Sequence, residues 1–200
     1  GKKAGVHYIL NTALTKELVA AEEPDVVILA TGAKQIKPSI EGINGNNVFM
    51  ANDVLEGKVS VGKNVLIAGA GLVGLETSDF LRERAGRTST LIDMIPELNY
   101  GVLGVGTHLQ ARLSENNTKF ILNASIKKFT SDGAIYIQNG IEKVATGFDS
   151  IVIAMGSHPY NPLEEEIRGL AKEIYVIGDA VKSGMANKAT EDAAAVAFKI

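Results

Sequence analysis

Val65-Leu66-Ile67-Ala68-Gly69-Ala70-Gly71-Leu72-Val73-Gly74-Leu75-Glu76 joins a short apolar run to G-x-G-x-x-G and then to a helical pattern. Strand, glycine turn and helix in that order read as the opening of a parallel α/β unit that holds a dinucleotide. Each glycine has its own task in such a turn. Gly69 lets the chain turn tightly out of the strand, Gly71 leaves room for a pyrophosphate to reach the backbone, and Gly74 lets the helix pack close to the sheet. The first N–H groups of the helix then face the anion, and the helix dipole adds to the attraction. Thr88-Ser89-Thr90-Leu91-Ile92 reads as the next parallel strand, with Asp93 at its end. A carboxylate at that place accepts hydrogen bonds from an adenosine ribose. Asp93 would also repel a 2′-phosphate, and no Arg or Lys stands between Met94 and Gly106 to receive one. The pattern therefore favours NAD(H) over NADP(H). Taken alone, Asp93 reads equally well as a solvated strand-end residue; the glycines before it favour the ribose.

The chain has 200 residues, of which 46% are hydrophobic and 22% charged. That is ordinary globular composition, with room for one large or two small cores. The formal net charge is -3 with no basic block, which speaks against nucleic acid as a partner. No apolar run is long enough to span a membrane as a helix, and the first residues carry no signal-peptide pattern. Cysteine is absent, so the chain itself forms no disulfide, redox dithiol, iron–sulfur cluster or thiolate zinc site. A reducing cytoplasm is the expected compartment.

Outside the opening stretch the pattern alternates between strands and helices. Gly5 to Leu10 reads as a strand, Thr15 to Glu22 as a short helix, and Asp25 to Ala30 as a strand buried on both faces. Lys34 to Asn47, with Pro38, Gly42 and Gly45, has linker composition. A helix is expected from Leu72 to about Glu83, ended by Gly86, and a second from about Gly106 to Ser114. A strand follows at Thr118 to Leu122. Ala134 to Gln138, Asn139-Gly140 and Ile141 to Thr146 then read as a hairpin on a type I′ turn. Ile151 to Ala154 and Ile174 to Ile177 return to the buried-strand pattern. The last helix, Ala186 to Lys199, carries Ala189, Ala193, Ala194 and Ala197 as a small-residue face suited to close packing.

Three segments together give a family resemblance: Asp25 to Gly32 (DVVILATG), Gly69 to Glu76 (GAGLVGLE) and Tyr175 to Asp179 (YVIGD). In order and spacing the chain resembles the flavin-linked pyridine-nucleotide reductases with two dinucleotide-binding domains. Within them it is most similar to the FAD/NAD(H) portion of 2-enoate and 2,4-dienoyl-CoA reductases, relatives of Old Yellow Enzyme and trimethylamine dehydrogenase. The resemblance implies an α/β architecture in which a Rossmann-like NAD(H) domain, a parallel sheet plus a β-hairpin or meander, is inserted in part of a second, FAD-type Rossmann-like domain. The expected boundaries are 1–46 and 158–200 for the FAD-type part and 47–157 for the NAD(H) domain. In that family an N-terminal barrel carries FMN and an iron–sulfur cluster. The chain shows neither that barrel nor the first FAD glycine loop, so it reads as an excised fragment or as a naturally truncated frame; both stay open.

The same resemblance implies the chemistry. NADH would pass hydride to FAD, which would feed the absent FMN/iron–sulfur barrel. Gly69, Ala70, Gly71, Leu72, Val73 and Gly74 would wrap the NADH diphosphate, and Asp93 would hold the ribose. Glu76 would lie near the nicotinamide half; a carboxylate in a helix's first turn also simply suits the dipole, and both readings stand. Ala154, Met155 and Gly156 would form a ligand-facing turn at a strand's carboxyl end. Gly178 and Asp179 match the late flavin motif, and Ala30, Thr31 and Gly32 match a turn packed against the FAD domain. After Asp179 the chain departs from the family with Lys182-Ser183-Gly184-Met185. No catalytic residue or metal ligand is expected: His7, His108 and His158 have no metal spacing, and Tyr100 and Tyr160 read as packed loop aromatics. The rival reading is a non-catalytic nucleotide-binding or interaction module. Apolar sheet surface around Val26, Ile28, Val176 and Ile177 would also favour self-association.

Overall fold

The computed structural model describes residues 2–98 and 104–200; Tyr100 lies outside them. In chain order the elements are α1 (Lys16–Glu22), β1 (Val26–Leu29), β2 (Ala33–Gln35), β3 (Val48–Met50), α2 (Ala51–Leu55), β4 (Asn64–Ala68), α3 (Leu72–Ala85), β5 (Thr88–Ile92), α4 (Val105–Glu115), β6 (Lys119–Ile121), β7 (Ala124–Thr130), β8 (Gly133–Gln138), β9 (Ile141–Ala145), β10 (Ser150–Ile153), β11 (Ser157–Pro159), β12 (Glu173–Val176) and α5 (Ala186–Ala197). The chain divides into two compact units, 1–34 with 158–200, and 35–157.

The larger unit is built on a five-stranded parallel sheet in the order β3-β10-β4-β5-β6. Alternation along the strands sends side chains to two faces. Val65, Ile67, Leu91 and Val152 pack with Leu75, Leu81, Leu109 and Leu113 of α3 and α4. Leu66, Ala68, Ile92, Ile151 and Ile153 pack instead with Phe129, Ala134, Tyr136 and Ala145 of an antiparallel meander, β7-β8-β9. The sheet is thus covered by helices on one side and by the meander on the other, which is why its central strands read as continuous apolar runs. Helix α3 ends at Gly86; its buried Asp79 pairs across to α4 with Arg112 and, within α3, with Arg82 at 3.2 Å.

Two local readings take a different form here. The hairpin turns at Asn139 and Gly140, with φ of 53° and 75° as a type I′ turn requires, but β7 adds a third strand. Its register shifts between Ile126 and Lys128, so no simple alternation marks it in the sequence. The 34–47 segment, read as linker, is fixed to the larger unit beyond Gln35. Ile40 and Ile43 pack on the meander side of the sheet, the Phe129 amide donates to Glu41 O at 2.8 Å, and Asn47 Nδ2 donates to Thr130 O and Ser131 O.

The smaller unit pairs β1 with β12 in parallel, Val26 opposite Glu173 through Leu29 opposite Val176. Thr15 caps α1 by accepting from the Leu18 amide at 3.3 Å. Val19, Val27, Leu29 and Ile167 form its core. The expectation that β1 is buried on both faces is corrected: Ile28 is 41% exposed, because this sheet has two strands and packing on the Val27–Leu29 side alone. Gly5 to Leu10 is not a strand; the segment is exposed throughout and pairs with no described strand, so its apolar alternation has no ladder to join. The alanine face of α5 is corrected too. Ala193, Ala194 and Ala197 are exposed and Val196 is the buried residue of the helix. Among the described residues no helix is long and apolar enough to cross a membrane.

Candidate functional site

The glycine turn lies where the strand order of the five-stranded sheet reverses, between β10 and β5 on either side of β4. Ligands of open α/β sheets bind at such a point, beyond the carboxyl ends of the strands. Three glycines there meet three different surroundings. Gly69 has φ +112°, donates its amide to Ile92 O at 2.8 Å, and a Cβ on it would stand 2.2 Å from Ala154 O. Gly74 faces backwards: its Cβ would stand 2.0 Å from Gly69 O. Gly71 is exposed and a Cβ there would meet nothing within 4 Å. Gly71 is also the N-cap of α3 and brings no side chain to it, so the first-turn N–H groups keep their directions for an outside acceptor.

Asp93 continues the arrangement. Its Oδ2 accepts the Ala70 amide at 2.7 Å and its Oδ1 accepts the Ile95 amide at 3.2 Å. Its backbone is held on both sides, Asp93 N–H to Ile121 O at 3.0 Å and Ala124 N–H to Asp93 O at 2.9 Å. A cavity of about 530 Å³ opens here, bounded by Gly69, Gly71 and Asp93 on one side and by Ala154, Met155 and Gly156 on the other. All six belong to the residues expected from sequence. Ala70 is fully buried and Leu72 and Val73 are half-buried in the first turn of α3. Glu76 is exposed and does not line the cavity.

Besides Ile92 at the end of β5, sequence reasoning missed the rest of the wall: Pro38, Ile40, Met94 and the Ala124–Ser125–Ile126 edge of β7. Met94 follows Asp93 directly and could have been found by adjacency. The others come from a segment read as linker and from the unrecognised strand.

The smaller unit has a cavity of about 610 Å³ along the ends of β1 and β12, lined by Ala30, Gly32, Gly178 and Asp179 together with Ala186 and Ala189 of α5. Gly178 opens a 3-10 turn, and a Cβ on it would meet Ala189 Cβ at 3.2 Å, so the turn sits close under the helix. Asp179 Oδ1 accepts the Gly184 amide at 3.1 Å, which ties the segment after the turn back to it. Thr31 does not line this cavity. Its hydroxyl donates to Tyr160 O, the Tyr160 amide donates to Gly32 O at 3.0 Å, and Lys34 Nζ stands 3.5 Å over the Tyr160 ring. Tyr160 is thus a packed aromatic with a cation–π partner. Among the described residues no group of three His, Asp or Glu is placed to hold a metal ion.

Residues 11–193 match the pyridine nucleotide-disulphide oxidoreductase family. The chain is 34% identical to the cinnamate reductase of Clostridium sporogenes over 90% of its own length and 27% of the relative. It is 30% identical to an NADH oxidase of Thermoanaerobacter brockii over 99% of its length and 31% of that protein. The solved structure of 2-naphthoyl-CoA reductase in complex with 2-naphthoyl-CoA superposes with a TM-score of 0.88 at 30% identity, covering 100% of this chain and 30% of that one. The chain therefore spans about a third of the length of the relatives it matches. It belongs to the pyridine nucleotide-disulphide oxidoreductase family, and within it resembles the FAD/NAD(H) portion of enoate-reductase-like proteins.

Proposed function

We propose that this member of the pyridine nucleotide-disulphide oxidoreductase family binds NADH in the cavity of its larger unit and delivers hydride to a flavin held by the FAD-type part of the fold. FAD and NAD(H) are the cofactors of the family. In the whole protein the electrons would continue to an FMN/iron–sulfur barrel domain that reduces an enoate or an enoyl- or dienoyl-CoA thioester. The observation that carries this reading is the open face of Gly71 beside a carboxylate, Asp93, at one cavity. A Cβ-free N-cap lets a diphosphate reach the first-turn amides, and a carboxylate at the next strand end suits a ribose diol. The flavin supplies the redox chemistry; the protein's share is placement and electrostatics. Gly178, Asp179, Ala30 and Gly32 would line the flavin side, with Thr31 holding the turn in shape. Leu72 and Val73 would present backbone rather than side chain to the diphosphate. The helix α5, starting at Ala186 on the cavity, would direct its positive end there.

Calorimetric titration of the chain with NADH and with NADPH tests the nucleotide reading. NADH is expected to bind at least ten times more tightly, since a 2′-phosphate would stand against the Asp93 carboxylate with no Arg or Lys from Met94 to Gly106 to meet it. Equal or tighter NADPH binding would remove Asp93 from the ribose. Of the four residues expected in an uncovered apolar surface, Ile28 alone is exposed, Val26 and Ile177 are half-buried and Val176 packs on the core, so the self-association reading rests on the Ile28 face of the two-stranded sheet. Light scattering should give at least twice the mass of one chain, and a monomer at all concentrations would refute it.

A further inference from the structure

We propose that Asp93 is a positioning residue for the glycine loop, setting the direction of the diphosphate-facing amides before any nucleotide arrives. The inference deepens the nucleotide reading above and rests on it for the identity of the ligand. The role usually given to a carboxylate at this strand end is a contact with ribose, made only when the ligand is present. Here the carboxylate is already engaged with the loop itself. Its Oδ2 lies 2.7 Å from the Ala70 nitrogen, a short charge-assisted hydrogen bond, and Ala70 stands between Gly69 and Gly71 with 0% exposure. A donor so buried is held firmly to its acceptor, because water cannot replace it.

The base of the strap is rigid as well. Oδ1 takes the Ile95 amide, and the backbone of Asp93 is hydrogen-bonded to Ile121 on one side and to Ala124 on the other. Gly69 is pinned by its amide to Ile92 O, one residue before Asp93. The end of β5 therefore grips two successive loop residues, Gly69 through backbone and Ala70 through the Asp93 side chain. The next residue, Gly71, is the open N-cap of α3. The bond fixes the Gly69–Ala70 peptide plane, the one from which the chain runs through Gly71 into the first turn of the helix. Each carboxylate oxygen accepts more than one hydrogen bond, so the strap leaves capacity for a ribose hydroxyl. One side chain then serves both parts of the ligand: the ribose directly and the diphosphate through the loop.

Two measurements separate this from a ribose contact alone. The first needs no nucleotide: amide hydrogen exchange of the free chain, followed residue by residue by nuclear magnetic resonance. In Asp93→Ala, and less so in Asp93→Asn, Ala70 should exchange at least tenfold faster, while Leu66 and Ile67 in β4 are unchanged. Unchanged exchange at Ala70 overturns the strap. The second titrates wild type and Asp93→Ala with NADH and with its 2′,3′-dideoxyadenosine analogue, which has the diphosphate but no ribose diol on that side. The strap predicts that the substitution weakens both ligands, the analogue by at least fivefold. Loss confined to NADH would make Asp93 a ribose ligand only and would refute the proposal. Wild type that binds neither ligand would refute the nucleotide reading, while the exchange result would still decide the strap.

Discussion

Gly71→Val abolishes NADH binding, at least a hundredfold in affinity, and leaves the far-ultraviolet circular dichroism of the chain as it is in wild type. The expectation follows from two facts about one residue. Gly71 has φ −71° and ψ −177°, extended backbone that valine adopts without strain, and a Cβ there meets no protein atom within 4 Å. At the Cβ the fold therefore raises no steric objection. The remaining cost is that of a poor N-cap residue, about 1 kcal/mol. The space that valine fills is the cavity bounded by Gly69, Gly71 and Asp93, the route by which a diphosphate would reach the first amides of α3. A branched side chain in that route blocks the ligand and spares the protein. Calorimetry on the variant decides it: full NADH affinity together with an intact spectrum would mean that this loop does not hold the cofactor.

What the sequence made legible was local. The run Val65 to Glu76 fixes strand, turn and helix because each rule involved acts within a few residues: apolar alternation, glycine at the turn, helical spacing after it. Asn139-Gly140 gave the type I′ turn for the same reason, since both φ values lie on the positive side that those residue types tolerate. The six residues of the cavity rim taken from sequence are strand ends and turns of this kind. The parts that escaped depend on partners far along the chain. Gly5 to Leu10 has the alternation of a strand, but a strand exists by its ladder, and the described residues offer none. Conversely β7 carries Lys127 and Lys128 and a register shift, so its pattern is spoiled although it pairs with β8 along its length. Pro38 to Ile43 has turn composition, yet Ile40 and Ile43 complete the core on the meander side. Thr31, read from sequence only as part of a turn packed against the FAD domain, donates its hydroxyl to Tyr160 O, a partner 129 residues on. In α5 only Ala189 of the four alanines is even half-buried, against the Gly178 turn, because burial is decided by what stands opposite a face, which no single helix records.

Gly69→Val gives the opposite result to Gly71→Val: the larger unit loses its cooperative unfolding transition, although the two positions are two residues apart. At Gly69 φ is +112°, outside the regions open to a β-branched residue, and its Cβ would stand 2.2 Å from Ala154 O, a backbone atom of the strand end after β10. Neither partner can yield cheaply. Ala154 is held by its own amide to Ala68 O at 2.7 Å, and Gly69 by its amide to Ile92 O at 2.8 Å, so relief means separating β4 from β5 or β10 at their carboxyl ends. Backbone strain of about 1–3 kcal/mol and overpacking of about 1–3 kcal/mol together approach the lower part of the ordinary range of net stability, about 5–15 kcal/mol. Gly74→Ala isolates the steric share, since Gly74 is helical and its Cβ would press on the Gly69 carbonyl, 2.0 Å from the oxygen and 3.0 Å from the carbon. It should lower the urea midpoint by about 1–3 kcal/mol equivalent at unchanged slope. Urea unfolding of the three variants side by side reads the whole argument. Steric demand ranks them Gly69→Val worst, Gly74→Ala intermediate and Gly71→Val mildest, whereas ligand access singles out Gly71→Val alone. A Gly69→Val protein as stable as wild type would mean that β4 and β10 are not held at the spacing that places Gly69 against Ala154, and the cavity between them would lose its wall.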